Sequence, residues 1–156
     1  MFIFYILFIY FGIIVILNFK YPLLKWDWSK ADLQNISLPK NFMWGSATAA
    51  HQVEGNCKNN NWSNWEKSKD NKGNPRIKNY QKSGDACNHW DLYNEDFNRL
   101  NELGLDSYRF SLEWSKIEPQ EGVFDQKIIK HYSEVNNSLI NKNIIPVITL
   151  HHFTHP

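Results

Sequence analysis

The sequence predicts an α/β chain built on a parallel sheet. Two observations carry this. From residue 42 onward the hydrophobic period switches in the order strand, helix, strand, helix, strand, and each helix passes to the next strand through a short link. Repeated βα units of this kind make crossover connections, which run consecutive strands parallel in a doubly wound sheet or a (β/α)8 barrel.

Residues 42–50 are apolar and small, as in a buried strand. Residues 56–88 are rich in Asn, Lys, Asp and Gly, enclose Pro75, and read as one long loop. Trp90, Tyr93, Phe97, Leu100 and Leu103 then recur at steps of 3, 4, 3 and 3, one face of an α-helix. Gly104 stands where a C-cap belongs. Residues 106–113 alternate, with Tyr108, Phe110 and Leu112 on one side and Ser107, Arg109, Ser111 and Glu113 on the other, so they form a strand. Pro119 and Gly122 mark a turn, after which Asp125 can N-cap a helix whose Ile128, Tyr132, Val135 and Leu139 step by 4, 3 and 4. Residues 144–150 are β-branched and apolar enough for a strand buried on both faces.

A length of 156 residues corresponds to one domain or part of one. The 17 basic and 16 acidic residues leave a net charge of +1 spread along the chain, against the clustered cationic face of a nucleic-acid binder. A mean hydropathy of −0.53 with 42% hydrophobic residues describes a globular chain. Two cysteines, Cys57 and Cys87, make neither a disulfide framework nor a four-cysteine zinc site, and leave a single bridge open. All seven tryptophans lie outside the apolar N-terminus; for each of Trp44, Trp62, Trp65, Trp90 and Trp114 a core position is the better expectation than a sugar platform.

Residues 2–17 are apolar throughout apart from two tyrosine hydroxyls. As a helix they span ~24 Å, short of the ~30 Å hydrocarbon core, and Phe19, Tyr21, Leu23 and Leu24 make up the difference. No basic residue precedes the run and no small-x-small site follows it, which favours an uncleaved membrane anchor over a signal peptide. The expected organisation is therefore a transmembrane anchor at 1–24, a linker at 25–39 and a globular part at 40–156. Lys20, Lys25 and Lys30 place that part in the cytosol by the positive-inside rule. The sequons at Asn35, Asn61 and Asn136 point the other way but arise readily by chance in an Asn-rich chain, so the side of the membrane stays open.

Several polar residues fall where an α/β fold carries its chemistry. Arg109 sits inside a strand expected to be covered, so it should line a polar cavity or meet a carboxylate, unless it faces water at an edge. His151 and His152 follow the third strand, and the C-terminal ends of parallel strands carry the site. His151 and His155 are four apart, but on a chain leaving a strand that spacing does not make a zinc pair. Gln52 and Glu54 close the first strand; a glutamine offers the donor and acceptor that paired sugar hydroxyls need, and a turn-closing role fits equally. No Gly-rich phosphate loop follows any strand, which sets a nucleotide site aside.

The stretch Phe42-Met-Trp-Gly-Ser-Ala-Thr-Ala-Ala-His-Gln-Val-Glu-Gly55 resembles the opening strand of glycoside hydrolase family 1, the β-glucosidase family. Gly84-Asp-Ala-Cys-Asn-His-Trp90, Tyr108-Arg-Phe-Ser-Leu-Glu-Trp114, Ile117-Glu-Pro119 and Thr149-Leu-His-His-Phe153 resemble it in the same order. The resemblance implies the first three βα units of a (β/α)8 TIM barrel, preceded by a transmembrane helix, from an enzyme that hydrolyses β-glycosides with retention. Carried over by position, Gln52 and His152 resemble the residues that bind sugar hydroxyls, and Arg109 the barrel arginine that keeps the nucleophilic carboxylate ionised. His51 stands where Tyr is common in the family and Phe153 where Trp is common. The family's catalytic Asn-Glu-Pro and Glu-Asn-Gly motifs have no counterpart here, and Glu54, Glu113 and Glu118 match neither position. The expectation is an N-terminal part with no catalytic residue of its own, no metal or cofactor, a β-glycoside as substrate, and no turnover alone. The alternatives are a catalytically dead sugar binder, against which Arg109 speaks because it serves only a nucleophile, and a broken gene product.

Overall fold

The computed structural model describes residues 2–21, 27–30, 32 and 37–156. The chain divides into two compact units, Met1–Lys40 and Asn41–Pro156. In the first, helix α1 runs Phe2–Lys20. Lys20 in the last turn complements the negative end of the helix dipole. Mean hydropathy over Ile3–Lys20 is 2.2, with none of that window buried. The expected anchor extended to residue 24; residues 22–24 lie outside the described residues, as do parts of the expected linker and the Asn35 sequon.

The second unit carries three parallel strands, β1 (Gly45–Ala47), β2 (Ser107–Ser111) and β3 (Ile145–Thr149), in the order β1-β2-β3. In register, Gly45 faces Ser107 and Arg109 faces Val147. Between β1 and β2 come α2 (Ala50–Val53), α3 (Asn61–Lys67) and α4 (His89–Glu102); between β2 and β3 come α5 (Trp114–Ile117) and α6 (Gln126–Asn141). Tyr108 and Phe110 leave one face of β2 and pack with Phe97 and Leu100 of α4 and with Tyr132, Val135 and Leu139 of α6. Phe97 and Leu139 are fully buried, each contributing about 2–3 kcal/mol by leaving water. The helix ends follow the sequence signals: Asp125 accepts from the amides of Lys127 and Ile128, and Gly104 takes the left-handed conformation after α4.

The structure departs from the sequence expectations in three elements. The strand expected over 42–50 is three residues long, because after Thr48 the Ala50 amide bonds the Ser111 hydroxyl and the chain turns into α2. The loop expected over 56–88 contains α3, started by Asn60, whose side chain accepts from the Ser63 amide. The third strand, expected to be buried on both faces, exposes Ile145, Val147 and Ile148; it is an outer strand, paired with β2 alone among the described residues.

Candidate functional site

The site is built at the C-terminal ends of the strands. Gln52 projects from α2, directly after β1, and His152 follows β3. Together with Ala49, His51, Trp62, Phe153 and Thr154 they line one pocket of about 230 Å³. Gly55 closes α2 with φ of +85°, and a Cβ there would strike the Asp85 backbone, so the turn that delivers Gln52 and Glu54 requires glycine.

Beneath the pocket lies a polar network that spacing alone did not reveal. Glu113 is fully buried and accepts from Asn60 Nδ2 at 3.1 Å, Ser115 Oγ at 2.6 Å and Thr154 Oγ1 at 3.0 Å. The other Asn60 amide hydrogen goes to His51 Nδ1 at 3.1 Å. The capping of α3 by Asn60 Oδ1 fixes which way that amide points, and the amide in turn leaves His51 to donate through Nε2, 3.2 Å from Glu66 Oε1. Asn61 then clamps α3 to the segment after β3. Its amide donates to the His155 carbonyl at 3.0 Å, its Nδ2 to the Phe153 carbonyl at 3.3 Å, and its Oδ1 accepts from the His155 amide at 3.2 Å. The sequence reading missed this arrangement; the residue type at Asn60, favoured at helix N-caps, is the local signal that fits it.

A second buried group sits behind Glu54. Its carboxylate accepts from Lys116 Nζ at 2.8 Å and from Tyr132 Oη at 2.7 Å. Burial raises the Glu54 carboxyl above its ordinary range, opposed by the Lys116 charge. Lys116 also lies 3.9 Å over the Trp90 ring, whose indole stacks on His131 at 3.8 Å. Glu54 is thus a tie between elements and is absent from the pocket lining.

The family model for glycosyl hydrolase family 1 matches residues 34–156. The chain belongs to that family. It is 39% identical over 127 residues to beta-glucosidase A of Acetivibrio thermocellus, covering 80% of this chain and 28% of that protein. It is 34% identical over 128 residues to the cytosolic beta-glucosidase of Homo sapiens, with 78% and 26% covered. Among solved structures, a beta-glycosidase from Pyrococcus horikoshii superposes with a TM-score of 0.66 at 40% identity, covering 76% of this chain and 26% of the other. The family 1 β-glucosidase of Thermotoga maritima gives 0.69 at 31%, covering 76% and 27%. Such neighbours are family 1 enzymes with a TIM-barrel fold. The family 1 chain spans about a quarter of the length of these relatives.

Arg109 of this family 1 chain departs from the burial expected of it. It is exposed, and its Nε donates to Thr149 Oγ1 at 2.8 Å with no carboxylate partner among the described residues. Strand alternation places it on the face of β2 opposite Tyr108 and Phe110, away from the layer of α4 and α6. The tryptophans depart too: Trp44, Trp62, Trp65 and Trp114 are exposed, and Trp90 is half-buried against the core. Glu113, which the strand alternation sets on the side of Ser107, Arg109 and Ser111, is the fully buried centre of the network. Glu118 lies in the turn that Pro119 and Gly122 mark, where bonds from Trp114 Nε1 and the Gly122 amide hold its carboxyl below the ordinary range.

Ligand atoms of His51, Cys57 and Glu113 lie within 4.8 Å of one another. Burial pushes the Cys57 thiol up to about 12, which disfavours the thiolate a metal needs, and His51 and Glu113 already have hydrogen-bond partners. Cys57 and Cys87 are both free thiols. His151 and His155 stand on irregular backbone with ring centroids 6.5 Å apart.

Proposed function

We propose that this chain forms the opening βα units of a retaining β-glucosidase or related β-glycosidase, within residues 40–156, held to a membrane by residues 1–24 through the linker 25–39. Gln52 and His152 bind the hydroxyls of the sugar, for which amide and imidazole offer paired donors and acceptors. Arg109 presents a permanently charged guanidinium on the open face of β2, where it holds the nucleophilic carboxylate ionised. Retaining hydrolysis needs two carboxylates about 5–5.5 Å apart, and both come from the later part of the barrel. Glu54 and Glu113 have no part in that chemistry, since their oxygens are committed to buried hydrogen bonds.

The single observation that supports this most is the shared pocket: Gln52 and His152 come from opposite ends of residues 40–156 and line the same cavity at the strand ends. Co-expression of the chain with the remaining barrel of a family member tests it. Turnover of a chromogenic β-glucoside is expected from the pair, none from the chain alone, and a loss of turnover when Gln52 or Arg109 is changed to Ala. Retaining hydrolysis by the chain alone, abolished by changing one of its own glutamates, would place the catalytic site elsewhere and overturn the proposal.

A further inference from the structure

Trp62 stands out among the pocket residues. It is 46% exposed, although its helix is anchored at the N-cap by Asn60 and at the first helical residue by Asn61. The Trp65 ring lies 5.6 Å away at 33° and restricts the indole further. Phe153, whose carbonyl accepts from Asn61, adopts a φ of 67° that a bulky side chain rarely takes. A large apolar ring therefore lines the pocket from a backbone anchored by hydrogen bonds, with the Trp65 ring beside it limiting the freedom that binding would remove.

We propose that Trp62 is the aromatic wall of this pocket, stacking on the C–H face of a β-glucoside, and that Asn61 is the residue that positions it. The proposal rests on the reading of the pocket as a sugar site. In the chair form of a β-glucopyranoside every ring substituent is equatorial, so each ring face presents only axial C–H groups. The apolar indole complements that face, while Gln52 and His152 meet the hydroxyls at the ring edge. A galactoside carries an axial hydroxyl on one face and fits this wall less well.

The test uses the 156-residue chain in detergent, with methyl β-D-glucopyranoside as the probe, followed by saturation-transfer NMR and titration. Saturation is expected to concentrate on the axial hydrogens of one ring face. W62A should lose that pattern and bind about tenfold more weakly, the scale of one aromatic contact. W62F should keep the pattern with a smaller loss, and N61A should blur it. If W62A binds with unchanged strength and pattern while Q52A weakens binding, the sugar pocket stands and the role of Trp62 is overturned. Loss of the pattern in W62F as complete as in W62A also overturns stacking. Absence of transfer to the unaltered chain overturns the sugar-site reading and this proposal with it.

Discussion

Asn60 Nδ2 lies 3.1 Å from Glu113 Oε1, across 53 residues of sequence, and joins the start of α3 to the end of β2. The same side chain caps α3 through Oδ1 and holds His51 through its second amide hydrogen. Helix formation, strand end and pocket floor therefore depend on one amide, with all of its hydrogen-bonding groups in use.

Removing either partner should cost far more than a surface change. Glu113→Ala leaves the Asn60, Ser115 and Thr154 donors without their acceptor and is expected to destabilise by about 3 kcal/mol or more. Asn60→Asp preserves the cap but sets a second carboxylate beside Glu113, so it should be more damaging than Asn60→Ala. Urea denaturation followed by circular dichroism ranks the three; Asp milder than Ala would show that capping outweighs the network.

Buried Glu54 and half-buried Lys116 form an ion pair whose members depend on each other. Lys116→Met strands the Glu54 carboxylate and should destabilise by about 3 kcal/mol, whereas the double change Glu54→Gln with Lys116→Met should recover most of that loss. A double-mutant cycle on unfolding midpoints measures the coupling, and additive losses would show that the pair contributes nothing beyond its parts.

Burial lowers the His131 pKa in the folded chain, chiefly by desolvation against Trp90 and its neighbours. A depressed folded value means that the unfolded chain binds more protons just below the usual ~6.5, so stability falls as pH drops through that window. The melting temperature should decrease from pH 7 to pH 5, and His131→Phe, which keeps the stacked ring, should flatten the slope. An equal slope in both would assign the acid sensitivity to other groups.

Helix α1 is apolar up to Leu17, and with a mean hydropathy of 2.2 over Ile3–Lys20 it is a candidate bilayer span. The full chain is expected to stay in the membrane fraction through carbonate extraction, and deletion of residues 1–24 to release it. Release of the unaltered chain into the supernatant would rule out an integral anchor.

The sequence by itself determined the two long helices, α4 and α6, and the parallel order of the strands. The apolar steps from Trp90 and from Ile128 are local repeats, and the Asp125 cap and Gly104 lie within a turn of the backbone groups they serve. The family motifs likewise pointed to Gln52, His152 and Arg109 as site residues. Only the tertiary structure decided that Gln52 and His152 line one pocket, that Arg109 stands exposed beside Thr149, and that Glu113 is buried. It also decided that a helix begins at Asn61 within a stretch that reads as polar loop. The physical reason is range. Helical and strand periods record which face of an element meets the core, within a few residues. The bond from Thr154 to Glu113 beneath the pocket joins residues 41 apart, the tie from Tyr132 to Glu54 joins residues 78 apart, and no spacing rule encodes partners at that distance.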